Sequence, residues 1–380
     1  MNYSDFLKMV PEASLVSILI ILFVADFISA KAQERKWFNP LVCVLMFAQT
    51  LVCLLPQVAT SAFGGMYVTS NSVEAMKAIL SFGTLIVLIQ SKTWAIKSGK
   101  EGEFYMLIVS TLIGMYVMMS AGHFLMFFLG LEMASVPLAT TVAFDKYRND
   151  SAEAAAKFIL TATFSSGVML YGISLLYAAT GTLYYDDVVS KITPSALSIM
   201  GLVFFFSGLG FKISLVPFHF WTADTYQGAP TSVTGYLSVV SKGAAAFTLC
   251  TILMKVFASL VTYWTCLLFI VIVLSITIAN LFAIRQSELK RFMAFSSISQ
   301  AGYIVLAIVG NTSMSVTALS FYVLVYVVAN MAVFTIINVV EQANDGKTMI
   351  EDYNGFYTTN PKLAFLMTLA LFSLGGIPPF

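Results

Sequence analysis

Polar residues occur in short bursts along this chain, and the complete apolar stretches between them run from 17 to 26 residues. The stretches cover 13–31, 40–60, 75–91, 104–121, 123–144, 154–179, 196–221, 231–256, 263–284, 290–309, 315–340 and 362 onward. A helix that crosses a bilayer needs about 20 apolar residues. The pattern therefore predicts eleven complete spans and a twelfth under way at Phe380. No water-soluble domain fits between them, and the longest connections, 180–195 and 341–361, read as polar loops.

The placement of lysine and arginine tests this map, because basic residues collect on the inner side of a membrane. With the N-terminus outside, the inner loops hold thirteen: Lys31, Arg35, Lys36, Lys92, Lys97, Lys100, Lys146, Arg148, Arg285, Lys290, Arg291, Lys347 and Lys362. The outer side holds four, Lys8, Lys77, Lys191 and Lys255. A miscounted helix would scramble that asymmetry. Three lysines are left over, Lys157, Lys212 and Lys242, and they fall within spans.

Composition agrees with the pattern. Of 380 residues, 59% are hydrophobic and 10% charged, with a mean hydropathy of +0.87; soluble domains are about one quarter charged. The chain reads as an all-α polytopic membrane protein, placed most naturally in a bacterial inner membrane. Its net charge of +1 gives no reason to expect a nucleic-acid partner. Asp5 and Glu12 interrupt the start, MNYSDFLKMVPEAS, which does not read as a cleaved signal. Cys43, Cys53, Cys250 and Cys266 lie apart and form no CxxC, and the histidines are His123 and His219. Neither an iron–sulfur nor a zinc site is expected from that spacing.

Candidate chemistry lies in the charges that should not be there. Glu132 stands near the middle of its span, where a charge costs roughly 3 kcal/mol on insertion scales. Such a residue either locks two helices in an ion pair or lines a polar path; several on separate spans favour the path. Lys242 is flanked by Ser238, Ser241, Gly243, Ala244 and Ala245, small residues that leave room for close helices and water. It lies too deep to snorkel easily. Lys157 is four residues after Glu153, the spacing of a helical ion pair. A surface pair and a functional role both remain open there.

Lys212 belongs to GLGFKISLVPFHFW, in which Pro217 removes a helical hydrogen bond and Gly208 and Gly210 loosen the turns before it. A helix broken at membrane depth is tolerated where it lines a protein or water cavity. LFSLGGIPPF, with Pro378 and Pro379, repeats this signature five spans later. Interrupted helices in corresponding halves mark transporters built from repeats.

Three segments now carry a resemblance. GFKISLVPFHFWTADTYQGAPTSVTGYLSVVSKGAAAF resembles the central motif of the antiporter-like membrane subunits of respiratory complex I. LFAIRQSELKRFMAFSSISQAGY is similar to their inner loop and the helix after it, and SAEAAAKFILTATFSSGVMLYGISLLYAATGT looks like the subunit N type of NADH–quinone oxidoreductase. The resemblance runs from about residue 100 to 380. It implies an antiporter-like fold of two inverted five-helix repeats, each with a broken helix: three N-terminal helices over 1–99, a first repeat over 100–258, and a second, expected to be incomplete in this chain, over 259–380. It implies proton translocation through Glu132, Lys212 and Lys242, with Lys157 matching the family's lysine in the sixth span. His219 and Gln300 are further candidates for the relay. Gln300 stands where relatives often carry histidine, and Gln227 replaces an acid of the family pattern. The implied role is that of a translocase subunit without a redox centre of its own. NADH, FMN, iron–sulfur clusters and quinone would sit on partner subunits, and further antiporter-like subunits, lipid, protons and water would be its neighbours. A subunit of a sodium/proton antiporter or of a membrane-bound hydrogenase shares the Glu–Lys–Lys core and is the alternative. A small-molecule carrier would need a recognition pocket, which no cluster of side chains suggests.

Overall fold

The computed structural model describes residues 3–29, 35–55, 59–344, 346 and 348–377. Its principal helices are α1 (Val10–Ser29), α2 (Phe38–Leu54), α3 (Asn71–Gln90), α4 (Glu101–Met119), α5 (Phe124–Val142), α6 (Asn149–Thr180) and α7 (Ala196–Ile213). There follow α8 (Phe220–Gly228), α9 (Thr231–Lys255), α10 (Val261–Ala283), α11 (Leu289–Val309), α12 (Ser313–Ala343) and α13 (Pro361–Leu374). Among the described residues, ten helices are long and apolar enough to cross a membrane, and α2 and α13 are shorter apolar helices. The chain is a multi-pass membrane protein. Among the described residues each of the twelve predicted stretches contains a helix, and 196–221 divides into α7 and α8 at the predicted break.

Local sequence sets the helix ends. Ser70 and Ser195 cap α3 and α7 by accepting from Val73 N–H and Ser198 N–H, which satisfies donors that a helix start leaves open. The carboxyl end of α6 closes on Gly181, whose φ of 71° is a conformation glycine adopts without penalty. Between α2 and α3 the chain makes a two-stranded hairpin, Ser61–Ala62 against Tyr67–Val68. Val68 N–H donates to Ser120 O, and Gly122 N–H to Met66 O.

In lipid there is no apolar gain when one helix leaves the bilayer to meet another, so close packing must hold the bundle. Small residues supply it between α4 and α5. A Cβ on Gly114 would lie 2.3 Å from Ala134 N, and one on Gly130 would lie 2.4 Å from Met118 N. Gly208 stays helical and lets Met169 of α6 come close; the expected loosening there is instead a packing contact. The centre of the bundle is α9, which touches α3, α4, α7, α11 and α12. In its most apolar stretch 89% of residues are buried, against 33% in α6 and in the span ending at Ala283, so α9 is the core helix and those two face lipid.

Two basic residues counted by side in the sequence reading are buried in helices: Lys290, 1% exposed at the start of α11, and Lys77. Lys77, counted there as an outer-loop residue, lies in the second turn of α3 and is completely buried. It falls inside the predicted stretch 75–91, so it belongs to that span and not to the outer side.

Candidate functional site

The break between α7 and α8 builds the centre of the site. Ser214 ends α7 with φ 68°, Leu215 N–H reaches back to Gly210 O at 2.8 Å, and the Val216–Pro217 peptide bond is cis. Trp221 clamps the gap by donating from Nε1 to Phe211 O at 3.1 Å. Lys212 therefore stands in the last turn of a half-helix at membrane depth, where the negative end of the helix dipole favours a cation. It is 5% exposed.

Lys212 and Glu132 are neighbours without touching. Lys212 Nζ donates to Ser135 Oγ at 2.8 Å, while Glu132, one turn earlier on α5, accepts from Ser166 Oγ of α6 at 2.5 Å. Among the described residues no ion pair joins the two. Pro137, inside α5, removes a helical hydrogen bond one turn beyond Glu132.

Beyond Lys212 the lining is aromatic. Its ammonium lies 6.0 Å from the Phe158 ring, Phe158 lies 5.0 Å from Trp221, and Trp221 lies 6.4 Å from Tyr226. On the far side, the Lys242 ammonium lies 5.4 Å from the Tyr226 ring. The two lysines thus flank one aromatic wall. Polar atoms accompany it on and beside α8. His219 Nδ1, Thr222 Oγ1, Thr225 Oγ1 and Ser214 Oγ are buried and have no protein partner among the described residues. Buried polar groups in native proteins are satisfied, commonly by water.

Lys242 is 1% exposed and donates to Ser297 Oγ of α11 at 2.5 Å. The turn before it, Leu237–Ser241, is wound as π-helix, a feature frequent at functional sites. Tyr226 Oη lies 3.3 Å from the same Ser297 Oγ, and Asn330 of α12 ties Ser238 at 2.7 Å. One turn along α11 from Ser297, Gln300 donates to Leu374 O at 2.6 Å and accepts from Tyr322 Oη. Leu374 is the last residue of α13, so Gln300 holds the end of α13. Pro378 and Pro379, predicted to make that break, lie outside the described residues.

The structure thus lines up Glu132, Lys212, His219, Lys242 and Gln300, and it sets Lys157 apart. Lys157 lies at one end of the bundle, where it pairs with Glu153 and Asp224 at 2.7 Å each. Asp224 also binds Arg291, which reaches Gln227 Oε1 at 2.7 Å. The sequence reading missed Asp224, Ser135, Ser166 and Ser297. Only Asp224 had a visible signal, an acid within the broken-helix motif; serines in membrane helices are too common to stand out.

Comparisons with known proteins identify the family. A family model described as NADH:quinone oxidoreductase/Mrp antiporter, transmembrane, matches residues 121–380. NADH-quinone oxidoreductase subunit N of Phocaeicola vulgatus is 56% identical, with an alignment covering all of this chain and 81% of that protein. The protein of the same name from Azobacteroides pseudotrichonymphae is 49% identical over all of this chain and 80% of its own length. A chain of respiratory complex I from Thermus thermophilus superposes with a TM-score of 0.80 at 28% identity, covering 97% of this chain and 79% of that one. A chain of the Mrp complex from Dietzia gives 0.82 at 20% identity, covering 98% of this chain and 72% of its own, a likeness of fold alone.

Proposed function

The chain belongs to the membrane-subunit family of NADH–quinone oxidoreductases and Mrp antiporters, and from that premise we propose that it moves protons as the subunit-N-type member of an NADH–quinone oxidoreductase. The observation that carries the proposal is the row from half-buried Glu132 through the buried lysines Lys212 and Lys242, built around a broken helix.

In this reading the proton enters near Glu132 and is held by Lys212. The charge of Glu132 one turn from Ser135 favours the ammonium form of Lys212, and loss of that influence releases its proton. The path to Lys242 follows His219, Thr222 and Thr225 along α8, whose open polar atoms suit bound water. Ser297 passes the proton on towards Gln300. Glutamine does not carry a proton near neutral pH, so this last step runs through water. The Lys157–Asp224–Arg291 cluster marks the inner mouth. Electrons from NADH to quinone travel on partner subunits, and this chain couples to them through its membrane neighbours. An antiporter or hydrogenase subunit would share the fold; the identity to subunit N proteins along the whole chain favours the oxidoreductase.

Lys242→Arg tests the row. A structural cation tolerates arginine, which keeps the charge, whereas a relay lysine does not, because arginine stays protonated. NADH-driven acidification of inverted vesicles, normalised to assembled enzyme, is expected to fall as far as in Lys242→Ala. Wild-type acidification by Lys242→Arg removes Lys242 from the path.

A further inference from the structure

The first helices hold a charged cluster that the row through α5, α7, α9 and α11 does not use. Lys77 of α3 is 0% exposed, and its ammonium lies 2.7 Å from Glu12 of α1 and 2.8 Å from Glu74 of α3. Glu12 is 4% exposed and Glu74 3%. Tyr67 of the hairpin donates to Glu12 Oε2 at 3.0 Å, and Ser120 donates to Glu12 Oε1 at 3.3 Å. Thr69 donates to Glu74 Oε1 at 2.5 Å. The rings of Tyr67 and Tyr116 lie 5.6 and 5.5 Å from the ammonium, and Cys53 of α2 closes the inner side through a contact with Tyr116 Oη.

Two carboxylates against one ammonium leave one formal negative charge sealed in the bundle. A lock between α1 and α3 needs a single acid–lysine pair, and a surplus buried charge costs several kcal/mol. The hydrogen bonds show where the surplus sits. Glu12 has both oxygens engaged, whereas Glu74 Oε2 is buried and has no partner among the described residues. Glu74 is also one turn from Asn71 and Ser72, the exposed start of α3. A short side-chain movement there reaches solvent.

We propose that Glu12, Glu74 and Lys77 form a second proton-binding site, in which Glu74 takes one proton from the outer aqueous phase and returns it there. The step is balanced: the carboxylate gains a proton to become a carboxylic acid, Lys77 remains an ammonium, and the cluster cycles between a formal charge of −1 and zero. The site has a direct mechanical neighbour in the central row. On the other face of α3, Met76 and Leu80 come within 3.3 Å of the position a Cβ on Gly243 would occupy, beside Lys242. The proposal rests on the reading that this chain handles protons, so its test reads protonation at the cluster by itself.

Infrared difference spectra of the assembled enzyme, stepped in pH, are recorded for wild type, Glu74→Gln and Lys242→Ala. The expected result is a protonated-carboxyl band that titrates in wild type, is lost in Glu74→Gln and persists in Lys242→Ala. Glu74→Gln keeps the Glu12–Lys77 pair, so a purely structural cluster predicts normal assembly with an unchanged spectrum, and that result overturns the proposal. A change that follows sodium instead of pH overturns it in favour of a metal cation. Should Glu74→Gln assemble poorly, Glu74→Asp keeps the acid and moves it: a shifted band supports the site, and an unmoved one rejects it. Normal pumping by Lys242→Arg together with loss of the band in Glu74→Gln would sink the central relay and leave this site standing.

Discussion

Ser135 decides how Glu132 and Lys212 communicate. The ammonium of Lys212 ends on the serine hydroxyl at 2.8 Å and the carboxylate of Glu132 ends on Ser166. A hydrogen bond to a charged group contributes about 1.5–3 kcal/mol, so each serine holds its charged partner in place. Glu132→Gln keeps the packing and the hydrogen bond from Ser166 while deleting the charge. It is expected to lower NADH-driven proton output far more than the amount of assembled enzyme, with Glu132→Asp milder. Normal output from Glu132→Gln would make the pair a helix lock. Ser135→Ala should also lower output at normal assembly, because it strips Lys212 of its protein partner; unchanged output would mean that the serine does not set the charge on Lys212. The sequence made the charges legible because a lone Glu or Lys in an apolar run is conspicuous. It hid Glu74 and Lys77, which stand at a polar helix start beside the predicted stretch edge at 75 and show their role only once Glu12 of α1 is folded against them.

At the scale of the helix, what the sequence displayed was composition, and what it concealed was approach. The break was legible because Pro217 follows Lys212 inside one apolar run. The π-turn at Leu237–Ser241 was not, since LSVVS carries neither glycine nor proline and its winding depends on the packing around α9. The tight meeting of α4 and α5 was equally invisible, because Gly114 and Gly130 are distant in sequence and only the folded bundle sets each against the other helix's backbone. Gly130→Val is predicted to force the helices apart, since its Cβ would fall 2.4 Å from a backbone nitrogen that no rotamer change can move. Overpacking of this kind costs about 1–3 kcal/mol, and more where backbone is involved. The quantity to measure is assembled enzyme and its thermal midpoint. Gly167→Val, with nothing within 4 Å of its Cβ, is the matched control and should be near neutral; equal loss in both would show that bulk and not contact is responsible.

Across the whole molecule the charges sort by end. One end of the bundle carries Glu153, Lys157, Asp224 and Arg291 as a single ionic chain across α6, α8 and α11, with Arg148 and Glu341 nearby. The other end carries the hairpin and the smaller pair of Lys255 with Asp186. Counting basic residues per loop already predicted that division, and the counting rule makes the first end cytoplasmic. Lys97 lies at the first end, exposed, and Ser190 lies exposed at the second; α4, α5 and α6 separate them. Three crossings must put the two positions on opposite sides of the bilayer. In a Cys266→Ser background, which removes the exposed native thiol, Lys97→Cys should react with a membrane-impermeant maleimide in sealed inverted vesicles and stay unreactive in right-side-out cells. Ser190→Cys should do the reverse. Labelling of both from one side would refute the count of spans between them. A clean exchange of the two results would invert the molecule, and with it place the Lys157–Asp224 mouth outside and the Glu74 site within reach of the cytoplasm.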